Sequence, residues 1–410
     1  MRLLVVSQYF WPEDFRVNDF VLGMRERGHE VTVLTGLPNY PGGKLFDAYR
    51  ADPAAHARFH DVEVVRVPLV PRGSNAIMLA LNYLSFALSA SILGPWKLRG
   101  RAFDAIFVFQ TSPITAALPA LLLRRLKRAP VLMWILDLWP ETLAAVGVIR
   151  NRRLLGLVGL LVRFIYRRCD RILIQSQAFR DSLLANGAWP DQIRYFPNWI
   201  EPTFEGGVGD AAPAPELAPY ADGFKIMFAG NIGEAQDMPA VVEAAALTRD
   251  IPGLRWLIVG DGRAADLLRS EITRQGLEDC VILLGRHPIE RMPAFMAGAD
   301  ALLVSLRAEP VFDMTVPGKV QSYLASGLPT LAMLDGEGAR VVAESGGGLA
   351  SSASDSAALA RNVRRLVAIS SAGRTAMGEA ARAYAADNFS RDALFDAFVD
   401  WAREAKSQFP

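Results

Sequence analysis

Three glycine-bearing loops and one lysine carry the strongest chemical signal in the sequence. Phe228-Ala229-Gly230-Asn231-Ile232-Gly233 closes an apolar run with two glycines three apart. Glycines there let backbone N–H groups approach an anion where a helix begins, although an ordinary tight turn uses the same pattern. Val259-Gly260-Asp261-Gly262-Arg263-Ala264-Ala265 fits the loose pattern G-x-G-x-x-A after an apolar run. A dinucleotide site would need an acid closing the next strand, about twenty residues on. That strand ends Leu284-Gly285-Arg286-His287, without an acid, so NAD is discounted. The loop reads instead as part of a donor pocket or as a plain strand end, with Gly260, Asp261 and Arg286 as candidates. Val316-Pro317-Gly318-Lys319-Val320 leads into a helical stretch through Ser322 that Gly327 ends, with Pro329 opening a strand. Lys319 then lies near a helix N-terminus at the carboxyl end of the preceding strand, where an ammonium can neutralise a diphosphate. Its flanks are small or apolar, which argues against a solvated surface lysine.

The first half offers carboxylates rather than cations. Trp134-Ile135-Leu136-Asp137-Leu138-Trp139-Pro140-Glu141 ends an apolar run and sets Asp137 and Glu141 at a strand's carboxyl end. Glu141 equally suits a first-turn acid facing the helix dipole. Tyr9-Phe10-Trp11-Pro12-Glu13-Asp14 and Gly36-Leu37-Pro38-Asn39-Tyr40-Pro41-Gly42-Gly43 follow the first two strand candidates. Aromatic, Gly/Pro-rich loops of this length are odd as mere connectors and fit contacts to a sugar or an acceptor. They nominate Trp11, Glu13, Asn39 and Tyr40. The sequence holds no D-x-D pair, no Cys/His cluster and only four His, so no metal site is expected.

These residues need a frame, and the apolar pattern provides one. Short runs rich in Val, Ile and Leu fall at 2–6, 31–35, 63–67, 104–109, 130–136 and 171–174, then at 224–229, 255–259, 280–284, 301–305 and 329–333. Near-continuous apolar runs alternating with helical stretches read as parallel strands covered on both faces. The expected fold class is α/β, with two doubly wound Rossmann-like domains facing across a cleft. The Pro-, Gly- and Ala-rich stretch 202–223 reads as a linker. It divides a first domain, 1–201, from a second, 224–387, with a final helix in 388–410. In open α/β sheets ligands sit beyond the carboxyl ends of the strands, where all the residues above fall.

A chain of 410 residues suits two domains of about 200 residues each. Two distant cysteines, Cys169 and Cys280, give no disulfide framework and point to a reducing cytosol. Residues 1–6 read as a strand start rather than a leader. Of 44 Lys/Arg and 43 Asp/Glu, residues 1–200 hold 25 and 15, leaving 19 and 28 for the rest. The first half therefore carries an excess of ten positive charges and suits a polyanionic partner, with anionic lipid and nucleic acid as the candidates. Interleaved apolar runs disfavour nucleic acid. Residues 73–96 are free of charge and long enough to span a bilayer, but their Asn, Ser, Gly and Pro content favours an interfacial or partly buried helix. The basic, apolar stretch 151–171 suits anionic lipid or, as well, a solvated domain helix.

Taken in order, these segments resemble family 4 glycosyltransferases over nearly the whole chain. The resemblance rests on the N-terminal strand, Arg27-Gly28-His29-Glu30-Val31-Thr32-Val33, the 228–233 and 260–262 loops and Ala325-Ser326-Gly327-Leu328-Pro329. Within the family, 8–13, 36–43, 137–141 and 317–319 look most like the bacterial N-acetyl-L-fucosamine transferase (WbuB-like) group of O-antigen and capsule assembly. The resemblance implies the GT-B fold and retaining transfer without metal or cofactor. The donor would be a UDP-sugar in preference to a GDP-sugar, and the acceptor an undecaprenyl diphosphate-linked sugar at the inner face of the cytoplasmic membrane. It places Gly230, Asn231, Gly233 and Lys319 at the diphosphate, Gly260, Asp261, Arg286 and Ser322 elsewhere in the donor site, and Asp137 beside the reacting sugar. Glu13 joins Asp137 and Lys319 as a catalytic candidate; Trp11, Asn39, Tyr40 and Glu141 are acceptor candidates. The final helix is expected to return to the first domain. The family's paired glutamates are absent: Met314 and Ser322 stand at those positions, with Glu309 and Asp313 nearby. The usual Gly-Gly turn after the first strand is replaced near Phe15-Arg16, which makes Arg16 a candidate donor contact. A GT-B-type sugar-nucleotide epimerase and a non-catalytic nucleotide-sugar-binding assembly protein are the alternatives.

Overall fold

The computed structural model describes residues 1–73, 75–145, 151–209 and 211–409. Ser74, 146–150, Asp210 and Pro410, which fall inside stretches read above, lie outside the described residues. The first strands and helices are β1 (Arg2–Ser7), α1 (Arg16–Glu26), β2 (Glu30–Gly36), α2 (Asp47–Ala51), β3 (Arg58–Phe59), β4 (Val62–Val67), α3 (Ala76–Lys97) and β5 (Ala105–Gln110). There follow α4 (Ala117–Lys127), β6 (Val131–Ile135), α5 (Glu141–Ala145), α6 (Arg152–Tyr166), β7 (Arg171–Ile174), α7 (Phe179–Ala185) and β8 (Ile193–Tyr195). The second series runs β9 (Lys225–Ala229), α8 (Met238–Leu247), β10 (Arg255–Val259), α9 (Ala265–Gln275), β11 (Val281–Gly285), α10 (Met292–Ala297) and β12 (Ala301–Ser305). It ends with α11 (Pro310–Asp313), α12 (Gly318–Ser326), β13 (Thr330–Met333), α13 (Gly336–Glu344), β14 (Gly348–Ser351), α14 (Ser356–Ala368), α15 (Ser371–Phe389) and α16 (Arg391–Ser407).

The chain forms two compact units, Met1–Pro197 with Asp392–Pro410, and Asn198–Arg391. In the first unit an eight-stranded sheet runs β3-β4-β2-β1-β5-β6-β7-β8, parallel except for the β3–β4 pair. Its central strands β5 and β6 are buried along their whole length, which is why they read as unbroken apolar runs. The second unit has a six-stranded parallel sheet ordered β11-β10-β9-β12-β13-β14. Alternate β9 residues feed two separate cores: Ile226 and Phe228 enter one, Met227 and Ala229 the other.

The division of the chain differs from the sequence reading. The stretch read as a linker packs on the second unit, where Phe204, Ala214 and Leu217 are buried in the core beside β9 and β12. A loop composition hid these three anchors because they recur with no helical or strand period. The chain passes between units instead at 197/198 and at 391/392. The α15 helix belongs to the second unit. In the first, α16 buries Phe395 and Phe398 against the rings of Phe20, Phe107 and Phe196. Arg27 adds ion pairs to Asp392 and Asp396 at 2.7 Å each.

Candidate active site

In the second unit the chain proceeds outward from β9 through β10 to β11, then returns to the other side of β9 as β12. The gap between β9 and β12 is therefore the topological switch point where doubly wound sheets take ligands. Pairing of these two strands is confined to Ile226–Met227 against Ala301–Leu302. Beyond that ladder, the buried Tyr323 of α12 supplies the partner that Ala229 lacks. Its hydroxyl accepts from Ala229 N at 2.9 Å and donates to Ala229 O at 3.0 Å. One turn earlier on the same helix, Lys319 reaches to the end of β9.

The Lys319 ammonium lies 3.5 Å from the centre of the Phe228 ring. Its Nζ is buried and has no hydrogen-bond partner among the described residues. Burial alone pushes its pKa down to about 7. A lone buried ammonium is costly, and the ring face offsets only part of that cost. The backbone of Gly230 passes directly over the lysine: with φ +135°, a Cβ there would sit 2.5 Å from Lys319 Cε. Gly260, φ +149°, is required by the next loop, since a Cβ would fall 1.9 Å from Gly230 O. The two loops interlock through Gly230 N to Val259 O (2.8 Å), Ile232 N to Asp261 O (2.9 Å) and Ala264 N to Ile232 O (3.0 Å).

This geometry corrects one expectation. The N–H groups of Gly230 and Gly233 do not point outward to an anion; the first is spent on Val259 and the second on Gln236 Oε1 at 3.0 Å. The glycines serve close approach instead, letting the backbone pass over Lys319 and let Gly260 in. Asn231 stands exposed at the loop tip, and Asp261 is exposed with its carboxylate turned on Gly262 N at 2.7 Å. Ser322 is buried within α12, one turn beyond Lys319. Arg286 is exposed just past β11, separated from β9 by β10. Sequence reasoning missed Phe228 and Tyr323 as residues of this site. The signal for Tyr323 was available, since a tyrosine four residues after Lys319 shares its helix face.

In the first unit the switch point lies between β1 and β5. Arg16 opens α1 just after the β1 loop, in this unit rather than among the second-unit donor candidates. Glu13, expected as a catalytic carboxylate, has another task. Its oxygens accept from the backbone amides of Phe10 (3.1 Å), Asn39 (2.8 Å) and Tyr40 (2.7 Å), tying the β1 loop to the β2 loop. Burial raises its pKa, and the three amides pull it back. Asn39, expected at the acceptor, is likewise consumed. Its Nδ2 donates to Leu37 O at 2.9 Å and its Oδ1 accepts from Arg72 N at 2.8 Å. Trp11 stacks on His56 at 4.9 Å, and its carbonyl accepts from Arg66. Tyr40 packs on Tyr9 and Phe15 with Arg72 over its ring at 5.4 Å. Trp11 and Tyr40 are only half-buried and keep part of their surface.

Asp137 lies two residues past β6, where Trp139 Nε1 donates to it at 3.2 Å. Burial raises its pKa, while hydrogen bonds from Thr142, Trp139 and Ser112 lower it. Glu141 begins α5. Its Oε1 accepts from Ser182 Oγ (2.5 Å) and Asn186 Nδ2 (3.1 Å), which fixes it to α7, while its Oε2 is buried without a hydrogen-bond partner among the described residues. Among the described residues no group of three or more His, Cys, Asp or Glu stands close enough to hold a metal ion.

Two Rossmann-like units, the second with a buried lysine beneath a glycine loop at its switch point, have the architecture of the GT-B class. Residues 15–199 match the glycosyl transferase 4-like domain model and residues 223–368 the model for glycosyl transferases group 1. These two matches span most of the chain, which belongs to the family 4 glycosyltransferases. It is 26% identical over 339 residues to the putative colanic acid biosynthesis glycosyl transferase WcaI of Escherichia coli K12, covering 80% of this chain and 82% of that one. It is 25% identical over 171 residues to the amylovoran biosynthesis glycosyltransferase AmsK of Erwinia amylovora, 41% and 40% of the two chains. Among solved structures, Anabaena Alr3699/HepE in complex with UDP matches with a TM-score of 0.71 at 16% identity, over 98% of this chain and 99% of that one.

Proposed function

We propose that the chain is a retaining, metal-independent transferase of bacterial surface-polysaccharide assembly. Its donor is a UDP-sugar, an N-acetylated deoxyhexosamine such as N-acetyl-L-fucosamine, as in the WbuB-like group. Its acceptor is an undecaprenyl diphosphate-linked sugar, met by a protein peripheral on the inner face of the cytoplasmic membrane, in O-antigen or capsule assembly. The observation that carries the reading is Lys319: a buried ammonium with no hydrogen-bond partner among the described residues, at the switch point of the second sheet. Such a group is expensive to keep unless a ligand brings the opposite charge. A nucleoside diphosphate does so, and the HepE structure, bound to UDP, supports the class of donor. The polysaccharide pathways named for WcaI and AmsK support the product class.

In this reading the bond from the sugar's anomeric carbon to the diphosphate oxygen breaks, and its electron pair leaves with the diphosphate. Lys319 meets that growing charge. The acceptor hydroxyl oxygen bonds to the carbon from the same face, and its proton passes to the departing phosphate oxygen. Fixed positive charge at the leaving group lowers the barrier without a protein nucleophile. Asp137, half-buried and hydrogen-bonded, is the polar group assigned beside the sugar. The test is incubation with UDP-sugars and a lipid diphosphate-linked acceptor, following UDP release and the product's anomeric configuration. Transfer with retained configuration and no added metal is expected. Isomerisation of the donor without acceptor would point to an epimerase, and tight UDP binding with no transfer to a non-catalytic role; either overturns the reading.

A further inference from the structure

Among the described residues, sixteen large apolar side chains are exposed, and twelve of them lie on three helices of the first unit. The α3 helix turns Ile77, Leu81, Leu84, Leu88, Ile92 and Trp96 outward, all between 45% and 74% exposed. Their spacing of three or four residues makes one stripe along the helix. The α4 helix, packed against both α3 and α6, adds Leu122 and Leu126. The α6 helix adds Leu154, Leu157, Leu160 and Phe164. At roughly half exposure each, twelve such side chains present on the order of 1,000 Å² of apolar surface, against the ~300–600 Å² of a typical monomer's largest patch.

The charge on these three helices has one sign. None of the three helices contains an Asp or Glu. Lys97, Arg124, Arg125, Lys127, Arg152, Arg153 and Arg163 lie on them, and the last three are exposed. Guanidinium groups also lie over rings at its margins: Arg99 over Trp96 at 5.7 Å and Arg168 over Phe164 at 3.8 Å. Apolar side chains with an aromatic and cationic border are what a lipid interface selects.

We infer that the α3–α4–α6 face is a monotopic docking surface for an anionic bilayer, with the helices lying in the interface rather than crossing it. The inference deepens the membrane-facing part of the proposed function and rests on it. Spanning is excluded by what α3 already does. Although its 22 residues are long and apolar enough to cross a membrane, 28% of its most apolar window is buried inside the protein. Its inner face holds Asn82, which accepts from Gln8 Nε2 at 2.7 Å and donates to Val70 O at 2.6 Å, and packs Phe86 and Ala90 in the core. A helix fixed in this way along its length of about 33 Å can offer lipid one side only. A second copy of the chain is a poor occupant, because two such faces would bring arginines together with no carboxylate on these helices to answer them.

The test uses the whole protein in flotation with vesicles of phosphatidylethanolamine and phosphatidylglycerol, and with phosphatidylcholine alone. The variants are Leu84→Glu/Leu88→Glu on α3 and Leu157→Glu/Leu160→Glu on α6, all at exposed positions. The wild type should float with anionic vesicles, bind phosphatidylcholine at least tenfold less, and be released by alkaline carbonate. Either double variant should lose tenfold or more of its vesicle binding while keeping the melting-temperature rise given by UDP. Unchanged flotation of the variants, resistance to carbonate, or self-association lost in place of vesicle binding overturns the inference. If UDP raises the melting temperature but nothing floats, this surface fails and the transferase reading stands. Flotation without any transfer activity does the reverse.

Discussion

Replacing Lys319 with methionine should make the ligand-free protein more stable while removing its response to UDP. In an unfolded chain a lysine holds its proton to about pH 10.4. In the folded protein, burial lowers the Lys319 value to about 7. Below about pH 7 both states carry the proton and the folded state bears the full cost of burying it. Between about 7 and 10 the unfolded state binds the extra proton, so stability rises with pH across that window. A fall from about 10.4 to about 7 corresponds to about 5 kcal/mol at 1.36 kcal/mol per unit. Contact with the Phe228 ring is worth about 0.5–2 kcal/mol, and methionine forfeits it. The net gain for Lys319→Met at pH 7 is then about 3 kcal/mol, or roughly 6–12 °C in the transition of a unit of this size.

Differential scanning calorimetry at pH 7, 8 and 9, with and without UDP, checks both halves. The stability gap between variant and wild type should narrow by about 1.4 kcal/mol per pH unit above 7. UDP at a hundred times its dissociation constant should stabilise the wild type by about 2.7 kcal/mol and the variant little. Calorimetric binding at pH 8 in buffers of different ionisation enthalpy should show about 0.9 proton taken up per UDP by the wild type, as the diphosphate restores the lysine's charge. A variant no more stable than wild type at pH 7, or one that keeps the UDP response, would refute the argument that this buried charge exists for a ligand.

Glu13→Gln should destabilise the first unit by about 2–3 kcal/mol, since an amide cannot accept from all three backbone donors that the carboxylate holds; its UDP response should be unchanged, and an inactive variant of unaltered stability would restore a catalytic role. Tyr323→Phe leaves Ala229 N and O without their partner, costs about 1–3 kcal/mol, and should weaken UDP binding; thermal melts and UDP titration read both. Asp137→Asn should lower turnover tenfold or more. Because burial raises the Asp137 pKa in the folded state, the folded protein binds the extra proton and stability falls as pH rises from the ordinary carboxylate range of about 4. The asparagine variant should lack that fall, which urea melts at pH 4 and pH 7 will show.

The parallel strands were legible because burial on both faces leaves unbroken apolar runs, and the central ones fall within a residue or two of their expected ends. β3, β8 and β14 were not. They are two to four residues long, and Gly348–Ser351 at the sheet edge carries mostly small side chains that leave no apolar period. Lys319 could be expected near a helix start, and its apolar flanks implied burial. The ring beneath it is 91 positions away in sequence, and no local pattern records that meeting. The same limit explains the glycine loop. Two glycines show that something comes close, but only the β10 loop decides that their amides turn inward. Glu13 and Asn39 read as substrate contacts in the sequence because polar residues in an aromatic loop look unpaired until the second loop is folded against the first. In α3 the apolar side chains run all round the helix, so sequence alone could not separate the face that packs from the face that does not.

What remains after the structure accounts for its own residues is a pair of violations of ordinary folding rules. One unit buries a cation without a partner; the other leaves an apolar, basic-rimmed face in water. Each lowers the stability of the free protein, and neither is needed to complete a core: the Phe228 side of the sheet is already packed, as is the inner face of α3. Residues that break a local rule without structural return are where ligand energy is most often stored. A buried cation beneath a glycine loop suits a small polyanion, and an apolar face with a cationic border suits an anionic lipid surface. The proposed reaction, joining a nucleotide-borne sugar to a lipid-borne acceptor, would use both.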